Sequence, residues 1–105
     1  MRKRSDFLRA ARARRVATPG FVLQIRARRD ADGPMRVGFT CSKKVGNAVA
    51  RNRAKRRLRA LARAVLQDHG RAGTDYVLIG RADVTATRPF ALMQDDLRSA
   101  LKRSQ

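Results

Sequence analysis

The chain has 105 residues, with 26 Lys and Arg against 8 Asp and no Glu, giving a formal net charge of +18. A chain of this size holds one domain with a modest core, not a deep enzyme cleft plus a regulatory module. Self-repulsion on that scale opposes the compact state, so the charge points to a polyanionic partner, while an apolar fraction of 43% excludes a disordered basic tail.

The whole span 1–105 reads as a single folded basic domain. Of the 26 cations 21 are Arg, whose planar fork suits phosphate, base edges and base stacking. Cys41 is the only cysteine, so no intrachain disulfide can form. It lies in an alternating apolar run and reads as a small core residue. No apolar run approaches the ~20 residues that span a bilayer. The start, "MRKRSDFLRAARARR", lacks the apolar core of a secretory signal. A cytoplasmic location is the expectation, with no membrane and no protein partner evident.

In chain order, Ser5 and Asp6 can cap a helix over roughly 6–15 that carries Phe7, Leu8 and Ala11 on one face. "TPG" at 18–20 stops it. "FVLQIRA" alternates, with Phe21, Leu23 and Ile25 inward and Val22, Gln24 and Arg26 outward. After the turn-rich "RRDADGP", "MRVGFTCS" alternates again, with Val37, Phe39 and Cys41 inward and Arg36, Gly38, Thr40 and Ser42 outward. These two strands are expected to pair antiparallel.

Asn47 is a good N-cap for a helix running to about Leu66. At ~100° per residue its core stripe is Ala54, Leu58, Leu61, Ala62 and Val65. Asn52, Arg56, Arg59 and Arg63 fall nearly opposite, with Arg51 and Lys55 along one margin. "QDHGRAG" ends the helix, and "DYVLIGR" is a third strand, expected to join the sheet parallel to an earlier one. Thr87 and Pro89 open a closing helix with Phe90, Met93, Leu97, Ala100 and Leu101 on its apolar face. The order α-β-β-α-β-α gives an α+β fold, a two-layer α/β sandwich on a mixed sheet.

The chemistry concentrates in the central helix. A solvated helix face normally mixes acids with bases for i,i+4 support. From Gly33 to Gln67 this chain has no acid at all, which marks the strip as a nucleic-acid contact. The loop before it, "SKKVGN", adds Lys43 and Lys44 beside the helix's amino end, open both to a phosphate seat and to a plain strand-to-helix turn. No catalytic set appears. His69 reads as a surface loop residue, and Asp95 and Asp96, adjacent on a helix, cannot both face one metal or water. There is no Cys/His metal spacing and no Gly-rich phosphate cradle.

The run "RVGFTCSKKVGNAVARNRAKRRLR" at 36–59 resembles the signature of the protein component of bacterial ribonuclease P, with its Arg-Asn-Arg core at Arg51, Asn52 and Arg53. The flanks agree, from "SDF" at 5–7 through "FVL" at 21–23 and "DYVLIGR" at 75–81 to the amphipathic last helix, so the likeness covers nearly the whole chain. The resemblance implies a left-handed β-α-β crossover, an exception to the usual handedness. It implies a subunit of a ribonucleoprotein that removes the 5′ leader from precursor tRNA. The partner catalytic RNA supplies the active centre and Mg2+; the protein alone holds no cofactor or metal and no catalytic residue.

The same resemblance assigns RNA binding to Lys43, Lys44, Arg51, Asn52, Arg53, Lys55, Arg56 and Arg59, and the helical wheel adds Arg63. Arg53 falls off the main strip, which leaves it free to brace the fold. The cleft for the single-stranded leader would involve Phe7, Val22, Gln24, Arg36 and Thr40, a face with an aromatic on which bases of any sequence can stack. Core packing is the alternative for Phe7. Many relatives carry aromatics where this chain has Ala11 and Gln24, so Arg planes would share the stacking here. The alternative partner is ribosomal or other structural RNA, which charge and fold class fit equally well. A nucleoid-type DNA binder would instead prefer duplex DNA.

Overall fold

The computed structural model describes residues 14–27 and 33–103. Its strands are β1 (Arg14–Ala17), β2 (Phe21–Ala27), β3 (Arg36–Thr40) and β4 (Thr74–Gly80). Its helices are α1 (Ala48–His69), the single turn α2 (Val84–Thr87) and α3 (Phe90–Arg103), with a 3-10 turn at Lys43–Val45. The order among the described residues is therefore β-β-β-α-β-α-α. The expected first helix lies outside them except for Arg14 and Arg15, which begin β1 instead of ending a helix.

"TPG" is a hairpin turn. The Thr18 amide and hydroxyl both donate to the Phe21 carbonyl, at 2.9 and 2.7 Å, and close the corner between β1 and β2. Gly20 is needed there for space. A Cβ on it would stand 2.3 Å from Met93 Sδ and 2.9 Å from Asp96 Oδ2, so both α3 side chains would have to move from the corner.

The sheet order is β1-β2-β4-β3. β4 runs antiparallel to β2 and parallel to β3. The expected direct pairing of β2 with β3 is thus corrected: β4 enters between them. The parallel placement of β4 beside an earlier strand holds, and α1 is the crossover that joins β3 to it. A parallel pair needs such a connection, because a tight turn can join only antiparallel neighbours.

Helix α1 forms because its apolar residues recur at helical spacing and its start is capped, the Asn47 Oδ1 accepting from the Ala50 amide at 2.9 Å. Gly70 ends it with its amide on the Leu66 carbonyl, so His69 is the last residue of the helix and not a loop residue. The buried stripe is Ala54, Leu58, Leu61, Ala62, Val65 and Leu66. It packs over β3 and β4, with α3 alongside, against Phe21, Leu23, Tyr76 and Leu78 of the sheet and Met93 and Leu97 of α3.

Arg and Asp struts hold the periphery. Arg57 of α1 donates to the Thr85 carbonyl at 3.1 Å and to the Arg88 carbonyl, tying the helix to the α2–α3 connection. Arg88 in turn clamps buried Asp96 at 2.8 and 3.2 Å, and the Thr85 hydroxyl bridges Gly20 and Arg81. On the sheet face away from α1, the fully buried Asp75 takes two bonds from Arg36, at 2.8 and 2.9 Å, with Arg26 at 3.7 Å.

Two substitutions test this packing. Leu58→Asp should prevent folding, because it puts a carboxylate into the α1 stripe with no partner; circular dichroism would read a lost transition, and a well-folded variant would reverse the assignment of the two helix faces. Arg36→Ala should cost about 3 kcal/mol in urea unfolding, the low end for breaking a buried ion pair, since Arg36 keeps part of its side chain in water.

Candidate RNA-binding surface

Asn52, Arg53, Arg56, Arg59 and Arg63 of α1 are all exposed. Arg59 and Arg63 stand on its β3 flank and not opposite the core stripe as expected, Arg59 lying over the Phe39 ring, because ~100° per residue puts Arg59 next to buried Leu66. Arg51 and Lys55 are half-buried at one margin, close enough to Cys41 that both charges favour its thiolate. Burial outweighs them and pushes the thiol up from its ordinary value, with a hydrogen bond from the Gly80 backbone also pulling it down. Cys41 is half-buried at the sheet end, packed against the core, and stays a neutral thiol at neutral pH.

The loop ahead of α1 adds Lys43 and Lys44, both exposed. Ser42 Oγ accepts from the Lys44 amide at 3.3 Å, and buried Val45 anchors the turn. Gly46 has φ +138, a conformation that side chains resist, and a Cβ there would lie 2.8 Å from that of Ala50. The loop is thus set firmly against the first turn of α1, so its two lysines extend the strip at the helix's amino end.

Among the described residues none of these loop and strip cations is in an ion pair, whereas Arg26, Arg36, Arg88 and Arg98 each are. The acids divide accordingly. Asp75 and Asp96 are buried, Asp95 pairs with Arg98 on α3, and the exposed Asp68 and Asp83 lie past the strip, in the last turn of α1 and just ahead of α2. An unbroken field of cations without local counter-charge is the footprint of a polyanion site.

Val49 belongs to this surface and was missed by a reading that looked only for charge. It is 77% exposed on the first turn of α1. At ~100° per residue it lies opposite Leu58 and nearly in line with Arg56, so the wheel could have found it. Arg57 was missed as well, and it takes the bracing role expected of Arg53, which is exposed.

The register brings the expected cleft residues to one sheet face. Val22 and Thr40 flank Ile79, Gln24 lies beside Val77, and Arg36 lies beside Asp75. Phe7 lies outside the described residues. Val22 and Gln24 are buried, so this face is not bare at its middle, while Thr40 and Arg36 are half-exposed. Arg36 is engaged by Asp75. Where this face meets the loop, a groove of about 610 Å3 joins Val22 and Ile79 to Lys44, with Arg15 and Arg81 on its walls. Neither Arg15 nor Arg81 was singled out from the sequence, since one fell in an expected helix and the other at a strand end.

Among the described residues no three His, Cys, Asp or Glu side chains gather as a metal site, and no helix is long and apolar enough to cross a membrane.

The comparisons with known proteins agree on one family. The ribonuclease P family model matches residues 1–105. The ribonuclease P protein component of Ruegeria pomeroyi is 65% identical over 105 residues, covering 98% of this chain and 83% of that protein. That of Paramagnetospirillum magneticum is 51% identical over 107 residues, covering 98% and 80%. Among solved structures, the RNase P protein of Staphylococcus aureus superposes with TM-score 0.78 at 30% identity, covering all of this chain and 94% of that one. The RNase P protein of Thermotoga maritima gives 0.77 at 28% identity, covering 98% and 94%. Matched along its whole length by sequence and by fold, the chain belongs to the ribonuclease P protein family.

Proposed function

We propose that this chain binds the catalytic RNA of ribonuclease P through the α1 strip and the Lys43–Lys44 loop, and that the assembled particle removes the 5′ leader of precursor tRNA. The observation that carries this reading is the exposed cationic strip, free of acid from Gly33 to Gln67, on a member of this family. In this reading the RNA holds the active centre with its Mg2+, and the protein supplies no cofactor, metal ligand or catalytic side chain. Its work is electrostatic: it neutralises phosphates that repel one another as the RNA folds and as substrate docks. The single-stranded leader would lie along the sheet face of Val22, Gln24 and Thr40 and into the groove lined by Arg15, Lys44 and Arg81. Arg36 would contribute there only with what its pair with Asp75 leaves exposed. The setting is the cytoplasm. The family match disfavours ribosomal RNA as the partner.

The direct test is cleavage of a precursor tRNA by a bacterial ribonuclease P RNA at low magnesium, with and without the protein. Cleavage is expected only with both; RNA binding without cleavage would move the reading to a structural RNA partner. Within the strip, Arg56→Ala should leave the unfolding midpoint unchanged but lower the slope of log affinity against log salt by about one, the mark of one lost phosphate contact. An unchanged slope would mean that this side of α1 does not face RNA.

A further inference from the structure

Between α1 and β3 opens a groove of about 390 Å3, within the ~300–1,000 Å3 range of small-ligand pockets. Met35, Val37 and Phe39 wall it on the strand side, and Ala62 and Leu66 on the helix side. Arg59, Arg63 and Gln67 stand at its rim, and no acid lines it. β3 is the last strand of the sheet, so among the described residues no further strand closes this side. Phe39 is only half-buried, and the guanidinium of Arg59 lies over its ring, 5.9 Å from the centroid.

Apolar walls, an aromatic face and a rim of two arginines select a flat, apolar-faced group that carries negative charge beside it. An unpaired nucleotide has that chemistry: the base can stack on Phe39 or on the Arg59 plane while its phosphate meets Arg59 or Arg63. A second copy of this chain is a poor occupant, since each copy carries +18. The rim arginines also belong to the α1 strip, so whatever polyanion covers the strip reaches the groove. We propose that the groove receives an unpaired base of the RNA bound by α1. This rests on the reading under Proposed function and adds a base-holding subsite to a surface that otherwise meets phosphates.

The test is the affinity of wild-type protein and of Phe39→Leu for the catalytic RNA of a bacterial ribonuclease P, measured across a salt series. Phe39→Leu should bind about 5- to 150-fold more weakly, the range for losing one stacked base. Its salt slope should match that of wild type, because stacking releases no counterions. Arg63→Ala should show the opposite pattern, with a slope lower by about one. Ultraviolet irradiation of the wild-type complex should join Phe39 to a single unpaired base.

Three results would overturn the proposal. Phe39→Leu could bind like wild type, its slope could fall as a lost phosphate contact would make it fall, or the crosslink could run to a second copy of the chain. Ala62→Met, which fills the groove from the helix side without touching a charge, should reproduce the loss if Phe39→Leu proves unstable; wild-type affinity in that variant also sinks the idea. Wild-type protein that fails to bind the catalytic RNA at all would sink the functional reading together with this one, whereas normal wild-type binding with an indifferent Phe39→Leu sinks only the groove.

Discussion

The apolar seam under α1 is the contact on which the rest depends. Leu58, Leu61, Val65 and Leu66 are essentially removed from water there, and each such side chain contributes about 1.5–3 kcal/mol as an upper estimate of burial. Against it stand like-charge neighbours on the rest of the helix surface, such as Arg51 with Lys55, Lys55 with Arg59, and Arg59 with Arg63. Each such i,i+4 pair costs only about 0.2–0.5 kcal/mol on an exposed helix. The seam wins comfortably. A run of cations that would not hold a helix in isolation is therefore held rigid by the sheet behind it, and its charges keep a fixed spacing.

That rigidity matters for a partner whose charges are themselves spaced. A flexible basic tail would lose side-chain and backbone freedom on binding, whereas α1 has already lost its backbone freedom on folding. The fixed loop does the same at the helix's start: Val45 is buried, Gly46 turns the chain, and Asn47 caps α1, so Lys43 and Lys44 extend the strip instead of wandering from it.

How much of this was legible in the sequence follows from which interactions are local. The two faces of α1 were readable because helical periodicity is a property of neighbouring residues, and both Asn47 and the buried stripe stand where that spacing puts them. The parallel placement of β4 was readable from the crossover. Strand order was not, because nothing in "FVLQIRA" or "RVGFT" says that β4 will insert between them; that choice belongs to long-range pairing. β1 was missed because four residues with a single buried apolar side chain, Val16, carry too little pattern to outweigh the helix expected before it. Arg57 was missed because only the folded position of the α2–α3 connection offers it carbonyls to bond.

The arginines do two kinds of work, and the sorting explains how so unbalanced a chain folds. Arg26, Arg36 and Arg88 surround the buried carboxylates of Asp75 and Asp96, and Arg57 bonds carbonyls at the helix junction. These contacts are shielded, so salt screens them weakly. The strip arginines face water with no carboxylate beside them, so salt screens them strongly, and in the proposed reading an RNA phosphate would replace that screening. By drawing two of its few acids inward as struts, the chain keeps them from neutralising the surface meant for the partner. Added salt should then loosen RNA well before it loosens the fold, because the two properties rest on different arginines.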